Sequence, residues 1–150
     1  LGDDRLVERK IADAYRLICA SPAYLARRGT PKRPEDLRDH DCVSMADMPN
    51  LSRWPFKSGP VQVSGPVTVD SATAVLEMGL AGVGVIRLGE FALADDVREG
   101  RLVPLLAEWH TRESFPISVV YPASRNKVPK TAAFVDFMKA RFGHAPWRIA

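Results

Sequence analysis

The side chains able to do chemistry are few and widely spaced in this chain. His40 stands between Asp39 and Asp41, the one arrangement resembling a general base beside an orienting carboxylate. A loop histidine flanked by acids is usually solvated or capping. No G-x-S-x-G elbow surrounds Ser58, Ser64 or Ser71, and neither H-E-x-x-H nor a phosphate-binding P-loop occurs. The sequence therefore has no catalytic constellation and predicts no enzyme. Cys19 and Cys42 lie far apart in apolar contexts and match neither metal-ligand spacing nor a C-x-x-C pair. They predict buried free thiols of a cytosolic protein, with no metal and no other cofactor. His110 and His144 fall in polar stretches away from any motif.

Binding groups are better represented than catalytic ones, and they gather in Val67–Leu88, VTVDSATAVLEMGLAGVGVIRL. The β-branched Val67, Thr68 and Val69 favour a strand after the Gly65-Pro66 turn. Asp70 and Ser71 offer side-chain oxygens where a helix must start. Ala72, Val75, Leu76, Gly79 and Leu80 keep the spacing of one apolar helical stripe. Gly82 and Gly84 end the helix, and Val83, Val85 and Ile86 resume a buried strand up to Arg87. A dinucleotide fingerprint needs its glycines between strand and helix, whereas these follow the helix. What remains is a helix start carrying Asp70, Ser71 and Thr73, whose free N–H groups either hold a small polar ligand or are simply capped. Arg87, at the end of its strand, either pairs a carboxylate ligand or meets Glu90 nearby. Trp54, beside Pro55 and Phe56, either lines a cleft or fills core.

The remaining elements must position those groups. Tyr15–Ala20 reads as a buried strand, and Ser21-Pro22 opens a short helix, Pro22–Arg28, closed by Gly29. Pro34–Leu37 begins a helical turn with acids at its positive end, and Cys42–Met45 is a strand. Asp47–Leu51 is loop, and Trp54–Phe56 pairs hairpin-like with Val61–Ser64. Pro129–Phe142 is an amphipathic helix with Phe134, Phe137, Met138 and Phe142 as its apolar face. At 150 residues, 46% hydrophobic and 26% charged, the chain is an ordinary globular segment. Its start at Leu1, inside the charged run LGDDRLVERK, predicts a fragment of a longer protein.

Cys19–Ser44, CASPAYLARRGTPKRPEDLRDHDCVS, carries a resemblance. Its strand, Ser-Pro helix, Gly, Pro-x-Asp-Leu turn and His-Asp-Cys succession resembles the effector-binding domain of LysR-type transcriptional regulators. The Trp54-Pro55-Phe56 element, the Val69-Asp70 helix start, Gly79–Val85, Glu99–Val103, Ile117–Pro122 and Ala133–Phe137 follow in the same order. The sequence departs from the family pattern at Leu88-Gly89, where a proline is usual, and at Arg33, where Ser or Thr often caps.

The resemblance implies an α/β fold of the periplasmic-binding-protein type 2 kind, two α/β subdomains joined by two crossover strands, the first subdomain incomplete in this fragment. Residues 1–14 would be a remnant of subdomain I, 15–120 the crossover strands and subdomain II, and 121–150 the return to subdomain I with the C-terminal helix. It implies a ligand-sensing module of a cytoplasmic DNA-binding regulator, a homodimer or homotetramer. DNA would be contacted only through a missing N-terminal winged helix-turn-helix, and no membrane is involved. A small-molecule effector, anionic or carboxylate-bearing, would lie in the interdomain cleft against the helix starts at Ser21 and at Asp70, Ser71 and Thr73, with Trp54 and Arg87 as further cleft residues. The alternative is a solute-binding protein of a transport system, which the same fold would serve.

Net charge is +3, but the basic residues are dispersed, with no run longer than pairs such as Arg9-Lys10 and Arg27-Arg28. The 150-residue chain alone is therefore expected to bind duplex DNA weakly and without sequence preference. Tight, sequence-selective retention in a gel-shift titration would contradict this.

Overall fold

One long strand, β1 (Leu6–Ala20, 15 residues), takes part in two antiparallel pairings in succession. The computed structural model describes residues 5–46, 52–111, 113–126 and 128–149. From Leu6 opposite Pro122 to Tyr15 opposite Ser114, β1 pairs with β8 (Ser114–Pro122), with a bulge between Lys10 and Ala12. From Arg16 onward it lies between β6 (Ile86–Gly89) and β7 (Val103–Leu105). The sequence leads one to expect a strand only over Tyr15–Ala20, because Glu8, Arg9 and Lys10 are poor strand formers. Pairing with the β-branched run Ile117, Val119 and Val120 overrides that weak local preference.

The elements between β1 and β6 follow the sequence reading closely. Helix α1 (Pro22–Arg28) starts at Ser21, whose hydroxyl accepts from the Tyr24 N–H, and stops at Gly29. A 3-10 turn covers Pro34–Asp39. There the Lys32 and Arg33 N–H groups donate to the Asp36 carboxylate and hold it below its ordinary pKa. Short β2 (Ser44–Met45) runs parallel to β5 (Thr68–Val69), and β3 (Arg53–Trp54) pairs antiparallel with β4 (Val61–Gln62). The loop expected over Asp47–Leu51 lies outside the described residues. Helix α2 (Ala72–Leu80) follows β5 directly, capped by the Ser71 hydroxyl on the Ala74 N–H.

Helix α3 (Glu90–Arg98) is not anticipated from sequence. Its start at Gly89 has no side-chain cap, and its buried side chains include Glu90 and Asp96, which blur the apolar stripe of Leu93 and Ala94. Helix α4 (Pro129–Phe142) forms where expected, with a different face inward. Val135 is buried, packed near Ile11 and Ala12 with Met138 and Phe142 alongside, while Phe134 and Phe137 are 51% and 61% exposed. No described helix is long and apolar enough to cross a membrane.

Alternation along β1 distributes its side chains among three apolar clusters. Ile18 joins Tyr24, Leu37, Trp54, Phe56 and Leu105. Cys19, on the opposite face, joins Val43, Val75, Ile86, Leu93 and Leu102 under α2 and α3. Ile11 and Ala12 meet Val135 of α4. Both cysteines are free and buried, and burial pushes each thiol up to about 12, with Asp41 adding to the effect at Cys42.

Two tight contacts fix how β6 enters the fold. The Val85 N–H donates to the Asp41 carbonyl at 2.8 Å and the Val43 N–H to the Val85 carbonyl at 2.9 Å. Gly84 sits so close that an added Cβ would strike the Asp41 carbonyl oxygen. The Tyr24 hydroxyl accepts from the Asp41 N–H at 2.9 Å and shares a hydrogen bond of 3.0 Å with His40 Nδ1. Gly84→Ala is expected to destabilise by about 1–3 kcal/mol through overpacking. Tyr24→Phe, which strands a backbone donor, is expected to cost about 1–3 kcal/mol. Urea unfolding of each variant measures both, and a wild-type midpoint for Gly84→Ala would show that the strand can move aside.

Candidate functional site

The strand segment at Cys42–Met45, β5 and β6 run parallel, held by Val43, Ser44 and Ala46 N–H groups donating to Val85, Val67 and Val69 carbonyls. In open α/β sheets ligands collect at the carboxyl ends of such strands. There α2 begins, α3 begins, and a cavity of about 200 Å³ opens between them. Ser44 and Met45 of β2, Trp54, Ala72 of α2, Arg87 of β6, Phe91 of α3, and Arg16 and Phe115 of the long strands line it.

The electrostatics of this cavity centre on Arg87. Burial lowers its guanidinium to about 10, Arg16 adds a like-charge push in the same direction, and Glu113 opposes them. Arg87 Nε is buried and has no hydrogen-bond partner among the described residues. The Arg16 guanidinium lies 4.6 Å from the centroid of the Phe115 ring. Arg87 does not meet Glu90, the partner proximity in sequence suggests. Glu90, only 1% exposed, accepts from the Tyr15 N–H at 3.2 Å and pairs with Arg148 Nε at 3.4 Å.

The other residues singled out from sequence are distributed unevenly about the cavity. Trp54 does both things open to it: it is 2% exposed within the core and one side of it faces the cavity. Asp70, Ser71 and Thr73 are exposed at the first turn of α2, flanking Ala72. Ser21 is buried and engaged as the α1 cap, lies against Gly82, and lines neither cavity described here. His40 is partnered by the Tyr24 phenol rather than by a carboxylate, so the paired-base arrangement does not form. Arg16, Phe91 and Phe115 escape sequence reasoning, since each lies on a different element and only β1 pairing brings them together.

A second cavity, about 190 Å³, is lined by Tyr15, Ile18, Glu90, Leu105, His110 and Arg148 among others. Its Glu90 and Arg148 are paired with each other, and Arg16 lines this cavity as well. Arg148 also lies 4.5 Å from the Tyr15 ring centroid and donates to the Asp13 carbonyl. Among the described residues no cluster of His, Cys, Asp or Glu is arranged to hold a metal ion.

Comparison with known proteins agrees with this architecture. The model of the LysR substrate binding domain matches residues 1–143. The chain is 31% identical over 147 residues to the HTH-type transcriptional regulator CrgA of Neisseria meningitidis serogroup B, covering 96% of this chain and 49% of the relative. It is 28% identical over 152 residues to the HTH-type transcriptional regulator PtxR of Pseudomonas aeruginosa, covering 99% and 48%. The solved regulatory domain of CrgA superposes with a TM-score of 0.90 at 31% identity, covering 95% of this chain and 72% of that one. Full-length AphB, a virulence activator of Vibrio cholerae, shares the fold at 21% identity with a TM-score of 0.77, covering 94% of this chain and 49% of that one. The chain belongs to the LysR substrate-binding domain family. It spans about half the length of the curated relatives it matches.

A desolvated guanidinium beside a second one is a stability defect in the empty domain. Arg87→Met, which keeps the apolar stem and deletes the buried donor, is expected to stabilise the ligand-free protein by about 1 kcal/mol. Chemical denaturation measures it, and a loss of stability instead would make Arg87 a structural residue.

Proposed function

We propose that this chain is the effector-sensing module of a LysR-type transcriptional regulator, and that a small molecule bound in the cavity at the strand ends sets the regulator's response. The observation that carries the reading is the cavity itself, placed where β2, β5 and β6 end and α2 begins, in a chain of this family. Trp54 and Arg87 belong to its wall, Asp70, Ser71 and Thr73, exposed around Ala72, are the polar groups offered to the ligand as it enters, and Ser21 holds α1 in place as a cap. DNA contact belongs to a helix-turn-helix elsewhere in the protein, which works in the cytoplasm as a homodimer or homotetramer. The relatives matched are regulators rather than transport proteins, which disfavours the solute-binding alternative.

The test uses the full-length protein carrying this chain, screened by thermal unfolding against a panel of small metabolites. A true effector at about one hundred times its Kd should stabilise the parent by about 2.7 kcal/mol. It should not stabilise Ala72→Trp, which fills the cavity. Thr73→Ala and Ser71→Gly should bind it about five- to 150-fold more weakly if their hydroxyls touch it. The same compound should change operator affinity of the parent in a gel shift. A ligand that alters operator affinity equally in Ala72→Trp would place the effector site elsewhere.

A further inference from the structure

The wall of the strand-end cavity combines two cations with apolar and aromatic surface, and neither cation forms a salt bridge among the described residues. β1 and β6 are registered with Arg16 opposite Gly89 and Ile18 opposite Arg87. Arg16 and Arg87 therefore leave the same face of the sheet at diagonal positions, roughly 7–8 Å apart. Gly89 has no side chain of its own there, and the Phe91 ring lies over it. A guanidinium presents five donors in a fixed fork that suits a carboxylate. Here the buried Arg87 Nε has no hydrogen-bond partner among the described residues, and Arg16 faces the Phe115 ring rather than an acid. Of the nearby carboxylates, Glu113 acts on Arg87 only through its charge and is exposed, while Glu90 is engaged with Tyr15 and Arg148. An anion between the two arginines would offset their mutual repulsion. The remaining surface, from Met45, Trp54, Phe91 and Phe115, suits a hydrocarbon body. A dry cavity of about 150 Å³ holds benzene, so about 200 Å³ has room for one ring or a short chain bearing a charged head.

We propose that the effector of this chain is a small organic monocarboxylate with an apolar or aromatic body, its carboxylate held between Arg87 and Arg16 and its body against Trp54 and Phe115. The inference rests on the cavity being the effector site. An inorganic oxyanion shares the charge but has nothing to place against those walls, and a neutral ligand leaves the arginines unmatched.

Calorimetric titration of the full-length protein with phenylacetate, hexanoate, their neutral amides and inorganic phosphate tests this directly. At least one of the two acids should bind about tenfold or more tightly than its own amide and than phosphate. Arg87→Gln and Arg16→Gln should each weaken that acid about tenfold or more, and Arg87→Lys should recover part of the loss, with unfolding midpoints showing each variant folded. The Arg87 Nε–H resonance should shift on addition of the acid. Amides binding as well as acids, phosphate binding best, no binding of either acid, or Gln variants that bind as the parent does would each overturn the inference. That failure is distinct from failure of the effector reading. A neutral compound that binds the parent but not Ala72→Trp keeps the cavity as effector site and removes the carboxylate, whereas effectors indifferent to Ala72→Trp remove the cavity.

Discussion

Strand β1 is the constraint on which the other elements depend. At about 3.3 Å per residue a 15-residue strand reaches roughly 50 Å, and its two ends are hydrogen-bonded to different neighbours. Because side chains alternate across a strand, a shift of one residue would exchange the environments of Ile18 and Cys19, placing each in the other's cluster. The register is therefore held from both faces at once. The bulge between Lys10 and Ala12 lies within the β8 pairing. Beyond it, Arg16 to Cys19 pair with β6 on one edge and Ile18 to Ala20 with β7 on the other.

That register carries the electrostatics with it. Arg16 and Arg87 are neighbours only because β1 and β6 are antiparallel with Ile18 opposite Arg87. β6 in turn is placed by the Val85 bonds to Asp41 and Val43 and by the close passage of Gly84. A side chain at position 84 would push β6 outward and carry Arg87 away from Arg16. Backbone geometry far from any ligand thus decides how far apart two like charges sit, and rigid placement is what keeps a pair that repels from relaxing into solvent.

Local signals marked most elements: Ser21-Pro22, the Ser71 cap, the glycines after α2 and the Pro129 start are all where the structure uses them. The failures share one cause, a local preference overruled by a partner distant in sequence. Glu8, Arg9 and Lys10 enter a strand because β8 supplies the ladder. Glu90 and Asp96 are buried in α3 because Arg148 and Arg101 neutralise them. The inward face of α4 is selected by Ile11 and Ala12, not by which side carries more phenylalanine. Of the residues that line the cavity, Trp54 and Arg87 carry a signal in the sequence, whereas Arg16, Phe91 and Phe115 are assembled across elements and carry none.

The position of Arg16 along β1 bears on how a bound molecule would act. Pairing with β8 runs to Tyr15 and pairing with β6 starts at Arg16, so Arg16 stands at the seam where the strand changes partners. Phe115 belongs to β8 and pairs with Ala14 just before the seam, while Arg87 and Ala72 belong to the parallel unit beyond it. A ligand touching all four would make contacts whose lengths depend on how the β1–β8 pairing is set against the β1–β6 pairing. Its affinity would then differ between arrangements of those pairings, and differential affinity is the one thing that lets a ligand shift a conformational equilibrium. A ligand confined to the second cavity would meet an Arg148–Glu90 pair that is already satisfied. At the seam, added negative charge would meet a repelling pair of guanidinium groups, one of them with a donor that has no partner among the described residues.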